Sequence, residues 1–308
     1  MNPLQKVIKY FAMAFAVALT IMIFTGIFGI ITGISVGVSN TTIPSIPFRE
    51  RTFELVSYKK EFQDVKSLEV DADSYSVTIQ VGDYFSVETE NVSEDYKAKR
   101  TSNGTLVVES ESKANWIFQL LSWGSNSVPE GKVLITVPED FIANKISIDG
   151  GSKLLNLYDL HAKEVRLDLG SGDMSAINLV ADNVNINAGS GNVQFDHVDL
   201  SEVEIDGGSG TITAKESNLN NLDIDAGSGA INIHGYLNGD TNIDGGSGSI
   251  TLVIPDAIDN YNINAEVGSG GIWVAGEKVV DDFVRNNKTA NHSIHLDGGS
   301  GRIALEFQ

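Results

Sequence analysis

Over the second half of the chain, apolar residues return at every second position in short runs, and each run stops at a Gly-Ser-Gly triplet. Five consecutive triplets start at a constant step of 19 residues. A period of two points alternate side chains to one face of a strand, and a fixed repeat of this length is typical of stacked coils. The pattern predicts an all-β fold, a parallel β-solenoid with 19-residue coils. The triplets begin at Gly170, Gly189, Gly208, Gly227 and Gly246.

Aligning the coils gives four apolar columns, two before each triplet and two after it. The column nearest the triplet on its N-terminal side contains Ile148, Leu167, Ile186, Ile205, Ile224, Ile243, Ala265 and Leu296. The triplet is therefore predicted to be a corner between two inward-facing strands, because glycine reaches positive φ and lets neighbouring backbones approach closely. A degenerate copy starts at Gly151. Two later triplets, at Gly268 and Gly299, follow steps of 22 and 31 residues, so the last coils are predicted to carry insertions.

A different pattern opens the chain, since no residue from Tyr10 to Val38 is charged and most are apolar. About 20 such residues cross a bilayer, so this run is predicted to be a transmembrane helix. Lys6 and Lys9 precede it, which places the N-terminus in the cytoplasm and the rest of the chain outside. A cleaved signal peptide is the alternative, which the length of the run disfavours. The small residues Gly29, Gly33 and Gly37 would allow two such helices to pair as a homodimer.

These patterns predict four parts: residues 1–40 as cytoplasmic N-terminus and membrane helix, 41–52 as a stalk, 53–140 as a β-rich N-terminal part, and 141–308 as the solenoid with a C-terminal cap. The edge strands of the stack need protection. The β-rich part and the insertion from Asp281 to Asn291 are the expected caps. The apolar segment from Trp116 to Trp123 either covers the neighbouring sheet, which we favour, or touches lipid or a partner.

Composition narrows the classes of function. Asp and Glu outnumber Lys and Arg by 41 to 21, giving a net charge of -20, and such a surface repels phosphate backbones. We therefore expect no nucleic-acid partner. Cys is absent, which excludes thiol catalysis, disulfides and Cys-based zinc sites.

An acidic ladder stands two residues before each corner. It consists of Asp149, Asp168, Asn187, Asp206, Asp225, Asp244, Glu266 and Asp297. The favoured interpretation is that each side chain accepts backbone N–H groups of its own turn. The other is that calcium bridges neighbouring coils, with Asp168, Asp206, Asp225 and Asp244 as ligands, although the nine-residue calcium-binding β-roll pattern is absent.

No catalytic residues are predicted. The triplet serines stack, but no histidine shares their column, and a serine nucleophile needs a positioned base. The five histidines occupy different repeat positions, and only His292 and His295 are close in sequence. The acids are spread once per coil rather than clustered as in a glycosidase site. We expect no enzyme activity and no cofactor other than the calcium alternative.

The recurring inward strand, Gly-Ser-Gly and inward strand, preceded by a segment ending at Val137-Pro138 and closed by a strand after Gly299, resembles the "putative adhesin" family of bacterial β-strand repeat proteins, DUF4097. The resemblance covers roughly residues 60 to 308. It implies an envelope or surface protein, commonly membrane-anchored and in some relatives associated with envelope-stress signalling.

The expected function is therefore a membrane-anchored cell-surface module, non-enzymatic, that adheres to or interacts with an envelope protein or glycan. One alternative is an envelope-stress sensor or regulator that acts through a membrane partner. Another is a carbohydrate-active enzyme.

Overall fold

The computed structural model describes residues 55–111 and 130–308, which belong to one compact unit. The described residues form strands and a single 3-10 turn, Ile258–Asn260, so the predicted all-β class is confirmed. No helix in these ranges is long and apolar enough to span a bilayer. The predicted membrane helix, the stalk and the Trp116 to Trp123 segment lie outside the described residues.

The strands follow one another in chain order as β1 to β24. They are β1 Leu55–Glu61, β2 Ser67–Asp71, β3 Ser76–Gly82, β4 Ser86–Ser93, β5 Tyr96–Arg100, β6 Thr105–Ser110, β7 Lys132–Pro138, β8 Ile142–Ala143, β9 Lys145–Asp149, β10 Leu155–Tyr158, β11 His161–Asp168, β12 Met174–Ile177, β13 Val180–Gly189, β14 Val193–Asp196, β15 Asp199–Gly207, β16 Ile212–Ala226, β17 Ile231–Asp244, β18 Ile250–Ile254, β19 Tyr261–Glu266, β20 Gly271–Val274, β21 Glu277–Val279, β22 Phe283–Arg285, β23 His292–Asp297 and β24 Arg302–Phe307.

Each central coil has three strand segments and three corners. In β16 the side chains alternate between core and solvent, and the alternation shifts at Glu216 and Asn221. Both residues have positive φ, 47° and 51°, which turns the chain. The sequence predicted only the Gly-Ser-Gly corner. The other two corners are formed in several coils by polar residues, which do not mark a turn as a glycine triplet does. We call the segment after that corner face A, the next face B and the last face C; in β16 they are residues 212–215, 217–220 and 222–226.

Neighbouring coils pair in parallel and in register. On face A, Val193 lies opposite Ile212, and on face C, Val203 lies opposite Leu222. The aligned apolar columns face the core, as their period of two requires. Face B adds inner columns that the alignment did not identify, formed by Leu160, Leu179, Val198 and Ser217 and by Ala162, Ala181, Leu200 and Leu219.

The two ends of the stack do not follow the order of the sequence. Strand β23 lies between β17 and β19, and β24 lies between β18 and β20. The corner at Gly299 therefore stacks directly on Gly246 and is not the last, contrary to its position as a closing strand in the sequence. At the other end, the coil β6–β7 lies outside β2–β3. Part of the region predicted as β-rich before residue 141 thus supplies solenoid coils.

Antiparallel strands cover both ends. Strand β5 pairs with β6, while β4 pairs with β7 and is followed outward by β1. At the C-terminal end, β21 pairs with β20 and β22 with β19. Strand β22 lies within the insertion predicted to be a cap. The outer strands β1 and β5 carry Lys59, Lys60, Lys97 and Lys99, and lysine is a common protection against edge-to-edge association.

The Gly-Ser-Gly corners stack through their backbones. The serine N–H donates to the first glycine carbonyl of the adjacent coil, as from Ser228 to Gly208 at 3.0 Å and from Ser247 to Gly227 at 2.9 Å. The third glycine is the most crowded: a Cβ on Gly229 would lie 1.7 Å from the Gly210 carbonyl oxygen. A Cβ on the first glycine of the same triplet, Gly227, would lie 2.9 Å from the Gly208 oxygen.

Gly229→Ala is expected to destabilise the solenoid far more than Gly227→Ala. The first substitution forces two backbones apart and should cost about 1–3 kcal/mol or more, whereas the second needs only a small shift. Urea unfolding of residues 53–308 for both variants measures the difference. Equal losses would show that the third glycine is not the tighter contact.

Removal of residues 292–308 is expected to abolish cooperative folding of the C-terminal coils, because it leaves β17–β18 and β19–β20 without their shared partner. A synthetic peptide of residues 290–308 should restore protection of the β19 and β20 amides in hydrogen exchange, and a Gly301→Val peptide should not. A truncated chain that loses only one coil's protection would contradict the inserted arrangement.

Candidate functional site

The acidic ladder lies on face C at the edge of the Gly-Ser-Gly corner. Its members are in register from coil to coil, for example Asp206 with Asp225 and Asp244 with Asp297. Asp71 extends it by one coil, opposite Asp149. This member escaped the alignment because its coil carries no Gly-Ser-Gly triplet.

Several ladder side chains accept the backbone N–H of their own turn. The amide of Gly246 donates to Asp244 Oδ1 at 3.0 Å, and that of Gly299 donates to Asp297 Oδ1 at 2.9 Å. Asn187 accepts from Gly189 at 3.3 Å in the same way. In these coils the polar side chain stabilises the turn that follows it.

Asp206 and Asp225 do not cap their turns in this way, because the glycine amides that follow them donate to backbone carbonyls instead. Gly208 N–H donates to the Gly189 carbonyl at 2.6 Å and Gly227 N–H to the Gly207 carbonyl at 2.9 Å. In the described ranges, neither carboxylate has a hydrogen-bond partner. Beside them, Glu204 lies opposite Asp223, so two coils hold four carboxylates on one face.

Repulsion along the ladder is visible at its N-terminal end. Burial, and then the neighbouring Asp71 carboxylate, raise the pKa of Asp149, while a hydrogen bond from Gly151 opposes the shift. Four of the ladder acids, Asp168, Asp206, Asp225 and Asp244, were the candidate calcium ligands. Across residues 55–111 and 130–308, no group of three or more His, Asp or Glu side chains is arranged to hold a metal ion.

The histidines lie apart from one another. His292 accepts the Gly239 N–H at 2.9 Å through Nδ1, whereas His295 is exposed and lies 3.2 Å from the Asn264 amide. His197 stands at an exposed corner with Asp196 2.5 Å from Nδ1 and Glu216 2.9 Å from Nε2. The hydrogen bond to Asp196 raises the pKa of His197, and Glu216 adds to the shift. The triplet serines are exposed and none contacts a histidine in the described part of the chain.

Face A has a different surface. The outward position between its two apolar columns is uncharged in every coil of the described chain. In spatial order this neutral column is Leu134, Thr78, Asn156, Ser175, Gln194, Thr213, Asn232, Thr251, Ala304 and Trp273. The corresponding column of face C includes Glu69, Arg166, Glu204 and Asp223. From Asn156 onward these neutral residues stand between the aligned apolar columns, so their lack of charge is a signal that the sequence pattern already contains.

A shallow cleft of about 400 Å³ crosses the middle of face A. Its polar wall comes from three consecutive coils, and exposed Leu154 borders it on a fourth. The polar residues are Asp173, Ser175, Asn192, Gln194, Thr211 and Thr213. Asp173 Oδ1 accepts both the backbone and the side-chain N–H of Asn192 at 2.8 Å, and Asn192 Oδ1 accepts the Thr211 N–H at 2.9 Å. These bonds fix the rim of the cleft.

A larger cleft, about 500 Å³, lies at the end of β3 and β7 and is lined by Gly82, Asp83, Pro138, Glu139 and Asp140. Its three carboxylates lie on turns at the N-terminal end of the stack. Its lining contains no Lys, Arg, His, Ser, Thr or Tyr.

Comparison with known proteins confirms the family resemblance: the family model described as Toastrack DUF4097 matches residues 65–306. No curated protein sequence matches the chain. Three solved structures are similar over most of their length. A "putative cell adhesion protein" from Clostridium sporogenes is 14% identical with a TM-score of 0.25, covering 83% of this chain and 100% of its own.

The second, a "putative adhesin" from Bacteroides fragilis, is 12% identical with a TM-score of 0.37, over 82% of this chain and 97% of its own. The third, a "putative adhesin" from Parabacteroides merdae, is 16% identical with a TM-score of 0.41, over 81% and 96%. None of these descriptions names an enzyme activity. The family assignment rests on the sequence match.

Replacing two uncapped acids of adjacent coils, Asp206→Ala with Asp225→Ala, is expected to raise the melting temperature of residues 53–308 slightly at low salt, because adjacent like charges are removed. The matched pair Asp244→Ala with Asp297→Ala should lower it, since each loses a turn hydrogen bond that contributes about 1 kcal/mol.

The same melts with millimolar calcium test the cation alternative. We expect no specific rise, because the described ladder offers no three-ligand group. A calcium-dependent rise in the native protein that the Asp206 and Asp225 pair abolishes would contradict this and identify the ladder as a cation site.

Proposed function

Because the chain belongs to the Toastrack DUF4097 family, we propose that it is a membrane-anchored bacterial surface protein whose rigid, non-enzymatic solenoid binds a protein or glycan outside the cell. Residues 10–38 would form the single membrane helix, with the N-terminus in the cytoplasm. The glycines at 29, 33 and 37 would let two anchors pair.

The observation that carries this proposal is the regular outer surface of face A. Parallel strands in register, spaced about 4.8 Å apart, present side chains at fixed intervals along the stack. Extended, repetitive surfaces of this kind are what solenoid proteins use for binding. The polar part of this surface runs through seven consecutive coils, from Thr78 to Thr251.

Both ends of the described stack are closed by antiparallel strands, with β1 pairing on β4 at one end and β19 to β22 closing the other. The chemistry of the described residues favours binding over catalysis, because the acids are in ladders and the serines lack a base.

The test is binding of purified residues 53–308 to envelope fractions and to extracellular matrix, compared with a deletion strain. Saturable binding, together with loss of surface attachment in the deletion strain, supports the proposal. An absence of binding combined with altered transcription or antibiotic tolerance would favour the sensor alternative. Turnover of a polysaccharide by the purified protein would overturn the non-enzymatic assignment.

A further inference from the structure

We propose that face A binds an uncharged, linear polysaccharide laid along the solenoid axis, with the cleft between Leu154 and Thr213 as the site of closest contact. This inference rests on the proposed surface-binding function and assigns it a face and a class of ligand. It follows from the charge, the hydrogen-bonding groups, the spacing and the rigidity of that face.

Charge distinguishes the neutral column of face A from the corresponding column of face C. The chain carries a net charge of -20, yet the neutral column contains no Asp, Glu, Lys or Arg in any described coil. An anionic polymer would be repelled by the molecule as a whole, and a cationic one would be drawn to the carboxylates of face C. A neutral polar ligand is the class that face A selects.

The polar groups of face A match a ligand rich in hydroxyl groups. Within the described residues, Ser175, Gln194 and Thr213 have no side-chain hydrogen-bond partner. Hydroxyl and amide groups both donate and accept, as sugar hydroxyls do. Exposed Leu154, with 45% of its surface accessible, provides an apolar contact for the C–H face of a sugar ring at the edge of the cleft.

Spacing extends this match along the axis. Successive coils are about 4.8 Å apart, close to the length of one hexose unit in an extended β-linked chain. Each sugar would therefore lie against a neutral side chain of the next coil. The polar part of the column runs from Thr78 to Thr251, over seven coils and a length of roughly 29 Å, enough for about six sugars.

The cleft is ordered before any ligand arrives. The bonds from Asn192 to Asp173 and from Thr211 to Asn192 hold the rim residues to their neighbouring coils. The neutral column stands on strands paired on both sides. Binding then costs little conformational entropy, which compensates for the shallow shape of the site.

The experiment measures binding of residues 53–308 to cellohexaose and chitohexaose by calorimetry, with the trisaccharides and anionic hexagalacturonate for comparison. We expect the neutral hexasaccharides to bind, the trisaccharides to bind at least several-fold more weakly, and hexagalacturonate not to bind. Gln194→Ala with Thr213→Ala should weaken hexasaccharide binding about tenfold, the effect of losing two hydrogen bonds.

The matched control is Asn185→Ala with Glu204→Ala, which changes outward residues of two adjacent coils on face C and should leave glycan binding unchanged. Thermal melts of both double variants establish that each is folded. Equal losses in the two variants, or no binding to either neutral hexasaccharide at millimolar concentration, would overturn the proposal.

Two outcomes separate this inference from the proposed function. If residues 53–308 bind envelope fractions, and the Gln194 and Thr213 variant binds them equally well, the surface function stands and the face A assignment fails. If sedimentation shows a dimer that Gln194→Arg dissociates, face A binds a second copy of the chain and the glycan proposal fails.

Discussion

The contact on which the structure depends is the backbone-to-backbone approach of the glycines at one corner. A Cβ at Gly210, Gly229 or Gly248 would come within 1.8 Å of a carbonyl oxygen in the neighbouring coil. Only glycine allows such proximity, so the triplets set how closely the coils stack. That distance in turn keeps the parallel strands of faces A and C in hydrogen-bonding register and buries the aliphatic columns.

The inward positions of the coils are almost all apolar, but the residues at the outward positions can differ from one face to another. Face C collects acids, some of which stabilise their own glycine turns, as Asp244 and Asp297 do. Face A remains uncharged between its apolar columns. The solenoid thus carries two chemically distinct surfaces on one core. This division, rather than any single residue, supports a binding function.

Every solenoid has unpaired strand edges at its two ends, and in this protein both ends are covered. Both ends use the same device, since a coil is placed out of sequence order and covered by short antiparallel strands. Inserting β23 and β24 between earlier coils gives the C-terminus partners on both sides. The chain end is thereby held by the sheet instead of lying at its edge.

The sequence by itself determined the repeat, the corner and the inward columns, because a period of two and a step of 19 residues leave Ile186, Ile205 and Ile224 only one face to occupy. It also located the ladder and its turn-capping role at Asp244 and Asp297. The exceptions at Asp206 and Asp225 depend on where two glycine amides donate, which no residue pattern encodes.

Only the tertiary structure decided the order of the terminal coils and the two corners at Glu216 and Asn221. Asp244 pairs with Asp297, 53 positions away, whereas Asp206 pairs with Asp225, 19 positions away. The residues around both pairs follow the same alternating pattern, so the local sequence cannot tell which strands will pair. The order of the terminal coils depends on the whole stack, because the arrangement has to leave as few strand edges unpaired as possible.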